Sequence, residues 1–198
     1  MRRRQAFTLV EVMVSLGIMT IAAMAIFALQ QQLLRANAHA RQITVATQIA
    51  QNWIERLKLD ALRWNRAEAP TATTFLKNIG APNAIGEFMT LPLAKPMRGG
   101  ETRVMSNAFD WYGQDLDTTT GPPKGLVYCA SYRLNWVFGN MRVIRADVRV
   151  WWARDGIGTS IATDYSVCKD EGDALNPGGA DYDRYHIVYL STVLRASP

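Results

Sequence analysis

The chain has 198 residues, of which 48% are hydrophobic and 20% charged; that is enough for one ordinary globular domain plus one further segment, and it argues against two full domains. The formal net charge of +5 falls to about +2 when Arg2, Arg3 and Arg4 are set aside, and the remaining basic residues are scattered. No Lys/Arg stripe interleaved with aromatics marks a nucleic-acid surface, and two cysteines are too few for a disulfide scaffold.

The first element predicted is a membrane-spanning helix. From Phe7 to Leu29 the sequence reads FTLVEVMVSLGIMTIAAMAIFAL, with Glu11 as its only charge. A helix of that length spans about 35 Å, against about 30 Å of hydrocarbon. The arginines precede it and no comparable basic cluster follows at once, so the positive-inside rule keeps the N-terminus in the cytoplasm and sends the rest outward. The apolar run is longer than that of a secretory signal peptide and continues into a helical pattern. Ile43, Ala46, Ile49, Ala50, Trp53, Ile54, Leu57, Ala61 and Leu62 follow at steps of three and four, with Arg41, Gln48, Gln51, Glu55 and Lys58 between them. No Pro or Gly interrupts residues 18–69, which predicts one rod, half in lipid and half packed on a domain.

Glu11 needs a reason. A carboxylate in an apolar helix costs about 2.5–3.5 kcal/mol on insertion scales. Two readings stand: it snorkels to the cytoplasmic interface, or it awaits a positive charge on another molecule.

These residues carry a family resemblance. An arginine-rich leader, then Ala6-Phe7-Thr8-Leu9-Val10-Glu11 ahead of an unbroken apolar helix, resembles the class III signal of type IV prepilins and type II secretion pseudopilins. The resemblance implies a prepilin peptidase that cuts between Ala6 and Phe7, removing residues 1–6, and N-methylates Phe7. Glu11, then the fifth mature residue, would pair with the Phe7 amine of a neighbouring subunit, an assembly device that cancels two charges costly to bury alone. The chain departs from the family at Ala6, where glycine is usual, and at Ala28, where major pilins carry a helix-kinking proline; the second departure fits a minor pilin or pseudopilin. The strings EVMVSL from Glu11, LQQQLLR from Leu29 and ATQIAQ from Ala46 are similar to PilV-type minor pilins and GspI-type minor pseudopilins, and the long segment after the helix favours the PilV type. The implied fold is α+β and pilin-like, a long N-terminal helix on a small antiparallel sheet. The implied organisation is a cleaved leader (1–6), a transmembrane and filament-core helix (7–34), its amphipathic continuation (35–66) and a periplasmic or extracellular domain (67–198).

After the helix, residues 65–125 hold most of the prolines and read as a loop-rich connection with one short helix near residues 73–79. Three strands are predicted, at residues 126–138, 141–153 and 185–194. Gly139-Asn140 makes the first two a hairpin. The second has an apolar face and an arginine-rich one, and the sheet is expected to hide its apolar face on the amphipathic half of the helix. Outside the cytoplasm Cys129 and Cys168 are expected to form a disulfide closing a loop of about 40 residues; inside it they would be two buried thiols. Asp170, Glu171, Asp173, Asp181 and Asp183 do not follow the spacing of an EF-hand loop, so residues 169–183 read as a solvated surface loop rather than a calcium site.

Enzyme readings lack support. His39 and His186 stand in no catalytic motif, and Gly156-Ile157-Gly158-Thr159-Ser160 lacks the lysine and spacing of a phosphate-binding loop. Trp136, Trp151 and Trp152 read as sheet residues rather than a sugar platform. The sequence therefore predicts no catalytic residue, metal ligand or cofactor. The resemblance implies a minor pilin that primes pilus assembly and rides at the tip, in the inner membrane first and at the cell surface later. Its expected partners are other minor pilins, the major pilin, the prepilin peptidase and the inner-membrane assembly machinery. A secretion pseudopilin is the near alternative, and a bitopic envelope ligand-binding protein the distant one.

Overall fold

A computed structural model describes residues 8–64, 70, 73–79, 86, 88–90, 106–116, 124–137, 142–154, 168 and 184–196. The chain divides into two compact units, Met1–Gln42 and Ile43–Pro198. One helix, α1 (Leu9–Ala61), contributes to both.

In the first unit α1 exposes Leu9, Met13, Leu16, Ile18, Met24 and Phe27, among other large apolar side chains. By length and composition this part of α1 can cross a membrane. An apolar surface of this extent in water would be an aggregation site, whereas lipid removes the cost of exposing it. The few hydroxyl groups in the run are satisfied within the helix. Ser15 Oγ donates to the Glu11 carbonyl at 2.8 Å and Thr20 Oγ1 to the Gly17 carbonyl at 2.8 Å, so neither enters the apolar layer unpaired.

The second unit is a helix-on-sheet layer. Val45, Ala46, Ile49, Ala50, Trp53, Ile54, Leu57 and Ala61 form the buried stripe of α1, at the spacing read from the sequence. The sheet comprises β1 (Met89–Thr90), β2 (Ala108–Phe109), β3 (Tyr128–Trp136), β4 (Val143–Ala153) and β5 (Tyr185–Arg195). The order is β1-β3-β4-β5, with β2 also on β3, and every pairing is antiparallel. The three long strands match the sequence expectation; β1 and β2 are additions too short to leave a periodic signal. The hairpin pairing of β3 with β4 is present, while Gly139-Asn140 lies outside the described residues.

Strand alternation sorts the side chains onto two faces. Tyr128, Ala130, Tyr132 and Leu134 of β3 join Ile144, Ala146, Val148, Val150 and Trp152 of β4 under the helix, where Trp53, Phe75 and Tyr132 meet edge to face. Val143 falls on the opposite face with Arg145, Asp147, Arg149 and Trp151, which is why the alternation read from the sequence is imperfect. That arginine-bearing face is itself largely buried, with Arg149 at 0% and Asp147 at 3% exposure.

The helix stops at Ala61, before the predicted limit of 66. Arg63 and Trp64 donate their N–H groups three residues back, to the Asp60 and Ala61 carbonyls, tightening the last turn. Trp64 then leaves the axis and buries against Trp136, ring centroids 5.7 Å apart. The Asp60 carboxylate accepts from the backbone N–H groups of Thr74, Phe75 and Leu76 at 2.7–3.1 Å. It thereby caps the 3-10 turn Leu76–Asn78 that realises the expected short helix. An acid in the last turn of a helix opposes the macrodipole by about 0.3–1 kcal/mol. Several charge-assisted bonds to buried donors outweigh that penalty.

Candidate functional site

The start of α1 is the first place where named residues meet. Thr8 precedes the first helical residue, and Glu11 stands three positions further on. Thr8 N–H donates to Glu11 Oε2 at 2.9 Å, the Thr8 hydroxyl donates to the same oxygen at 3.0 Å, and Glu11 N–H faces Thr8 Oγ1 at 3.4 Å. This is a reciprocal capping box, which satisfies donors that a helix N-terminus otherwise leaves open. In the single chain Glu11 is therefore partnered by its own Thr8. The Thr-x-x-Glu spacing was the available signal, although the sequence reading took Thr8 only as part of the motif string. Ala6 and Phe7, the expected cleavage and methylation positions, lie outside the described residues.

The second unit holds a charged cluster on the sheet face away from the helix. Asp147 Oδ1 accepts from Ser191 Oγ at 2.5 Å and Arg145 Nε at 2.8 Å; its Oδ2 accepts from Arg133 Nη2 at 3.0 Å and Nε at 3.3 Å. Burial pushes the Asp147 carboxyl up, but the bonds from Ser191, Arg145 and Arg133 outweigh it and hold the group below the usual carboxylate range. Beside it Arg149 donates to Ser131 Oγ at 3.2 Å. Its guanidinium stacks 4.1 Å from the Phe88 ring centroid, with that of Arg133 4.7 Å from the same ring. These groups knit β3, β4 and β5 together.

Cys129 and Cys168 are both buried and form a disulfide, Cα atoms 5.3 Å apart. Asn107 Nδ2, from the residue before β2, donates to the Cys168 carbonyl at 2.7 Å, adding a second tie. The acidic residues 170–183 and Gly156–Ser160 of the sequence reading lie outside the described residues. Among the described residues no group of His, Cys, Asp or Glu could hold a metal ion. His39 stands on the exposed surface of α1, and the ring of His186 on β5 lies 5.3 Å from that of Trp152 on β4.

A long N-terminal helix on an antiparallel sheet, with an exposed apolar first half, defines a pilin-like α+β architecture. Residues 1–27 match the prokaryotic N-terminal methylation motif. The match supports a pilin or pseudopilin of the type IV prepilin-like kind, and with the apolar helix it supports membrane anchoring and processing by a prepilin peptidase. No curated protein and no solved structure matches the chain.

Proposed function

We propose that this chain is a PilV-type minor pilin, which primes assembly of a type IV pilus with other minor pilins and sits at the pilus tip. The observation that carries the reading is the coincidence of the methylation motif over residues 1–27 with an exposed apolar helix whose first turn holds Glu11. In this account residues 1–6 are removed on the cytoplasmic face, and Phe7 becomes a methylated terminus. The helix to residue 34 holds the protein in the inner membrane and later packs in the filament, its amphipathic continuation ends at Ala61, and residues 67–198 face outward.

Glu11 changes partner on assembly, giving up contacts with Thr8 for the Phe7 amine of a neighbouring subunit. Only one axial stagger satisfies both charges in a low-dielectric bundle, which turns a costly carboxylate into a register device. The motif is shared with secretion pseudopilins; the long segment after the helix favours the pilin.

The reading is tested by replacing Glu11→Ala and counting surface filaments in a strain that depends on this subunit for priming. The variant is expected in the membrane at wild-type level, with filament number reduced at least about tenfold, the effect of losing one buried charge pair of 1.4 kcal/mol or more. Unchanged filament number would contradict it.

A further inference from the structure

The sheet face turned away from α1 carries more positive charge than it neutralises. Strand pairing puts Arg133 of β3, Arg145, Asp147 and Arg149 of β4 and Arg195 of β5 on that face, so four guanidinium groups share one carboxylate among the described residues. Asp147 is already committed, its Oδ1 to Ser191 and Arg145 Nε and its Oδ2 to Arg133 Nε and Nη2. Among the described residues, neither Nη group of Arg145 nor Nη1 of Arg133 meets an acceptor, and the Arg195 side chain makes no hydrogen bond or ion pair.

Val193 stands opposite Arg145 and two residues before Arg195, which sets the two arginines diagonally about 7–8 Å apart around it. The chain leaves this patch open, with the Arg145 side chain 55% and Val193 64% exposed. Guanidinium groups held this close repel each other, and an anion from outside relieves the repulsion. Asp147 shows which anion fits, since a carboxylate already sits between Arg133 and Arg145. A phosphate polymer fits less well, because such partners typically engage about 6–10 phosphates, and this patch turns three guanidinium groups outward around an apolar centre. The described carboxylates of the second unit give a second copy nothing to offer. Glu55 pairs with Lys58, Asp60 with the N–H groups of residues 74–76, Asp110 with those of Tyr112 and Gln114, and Asp115 with Arg56. Face to face, two copies would set arginine against arginine.

We propose that this patch docks an acidic segment of a different polypeptide, whose carboxylates meet Arg145 and Arg195 while an apolar side chain covers Val193. Arginine suits the task because its planar fork grips a carboxylate through two parallel bonds, and Arg145 keeps both Nη groups for it while its Nε holds Asp147. The inference stands apart from the pilin reading, since it concerns only this face of the sheet.

The test uses the full chain in micelles of a neutral detergent and a fluorescein-labelled peptide of about eight residues with glutamates flanking leucine, and reads binding by fluorescence anisotropy. Arg195→Glu, which removes no polar contact among the described residues, is expected to weaken binding at least about tenfold, and added salt to weaken it further. A peptide with glutamine in place of glutamate should bind at least about tenfold more weakly to the parent chain. No measurable binding, equal binding by Arg195→Glu, or equal binding of the glutamine peptide would overturn the proposal. Displacement by inorganic tripolyphosphate as effective as that by unlabelled peptide would show a general anion patch and overturn it too. A variant combining Asp170→Asn, Glu171→Gln, Asp173→Asn, Asp181→Asn and Asp183→Asn separates the other occupants. Peptide binding seen only in that variant would give the face to the chain's own acids, and a concentration-dependent self-association that the variant loses would give it to a second copy; either result overturns the proposal.

Discussion

Asp147 is the residue on which the far face of the sheet depends. Its carboxylate is 3% exposed and faces two guanidinium groups and a hydroxyl. Asp147→Asn keeps the shape but leaves Arg133 and Arg145 without a counter-charge, and should lower unfolding free energy by about 2 kcal/mol, a buried-pair value reduced because both arginines are partly exposed. Denaturant titration of the full chain measures it. The sign of the pH dependence follows from the depressed native carboxyl. Stability from Asp147 is fully present above the unfolded value of about 4 and is lost as pH falls through the lower native value. The parent chain should therefore lose stability below about pH 4 more steeply than Asp147→Asn; parallel curves would contradict the account. Gly113 makes a second test. It lies at φ 77°, and a Cβ there would stand 3.1 Å from Val45 Cγ1 and 3.3 Å from an Ile49 side-chain carbon. Gly113→Ala is expected to cost about 1–3 kcal/mol through backbone strain and overpacking, read as a drop in the denaturation midpoint.

Among the elements, α1 was the most legible in the sequence. The apolar run from Phe7 and the three-and-four spacing from Ile43 are local signals, and the structure buries the residues that spacing selects. The end of the helix was not legible, because Ala61 is its last residue for reasons supplied from far along the chain: Trp136 receives Trp64, and the N–H groups of residues 74–76 bind Asp60. Long-range contacts of this kind leave no period in a sequence window. Asp60→Ala should strand those donors and cost about 2 kcal/mol, while Asp60→Asn, which retains one acceptor oxygen, should cost less; equal losses would show that the charge and second oxygen carry the whole effect. The Thr8–Glu11 box is visible in the sequence only as a Thr-x-x-Glu spacing, which the charge of Glu11 overshadows. Thr8→Val is expected to speed amide exchange at Glu11 about fivefold, the consequence of losing about 1 kcal/mol of capping.

At the scale of the molecule, the two units meet different physical demands. Met1–Gln42 exposes apolar side chains that a bilayer or helical neighbours can cover, whereas Ile43–Pro198 encloses its own core of helix and sheet. The disulfide suits the second unit because it crosses between segments 39 residues apart, where chain entropy assigns about 3–4 kcal/mol to the closure. Its presence agrees with export into an oxidising compartment. The central claim is that the first unit becomes a processed, filament-competent helix, and the N-terminus of the mature polypeptide reports on it directly. Mass analysis of protein extracted from membranes should find a chain that starts at Phe7 with a methyl group on its amine. A polypeptide that retains Met1 through Ala6 would contradict the claim.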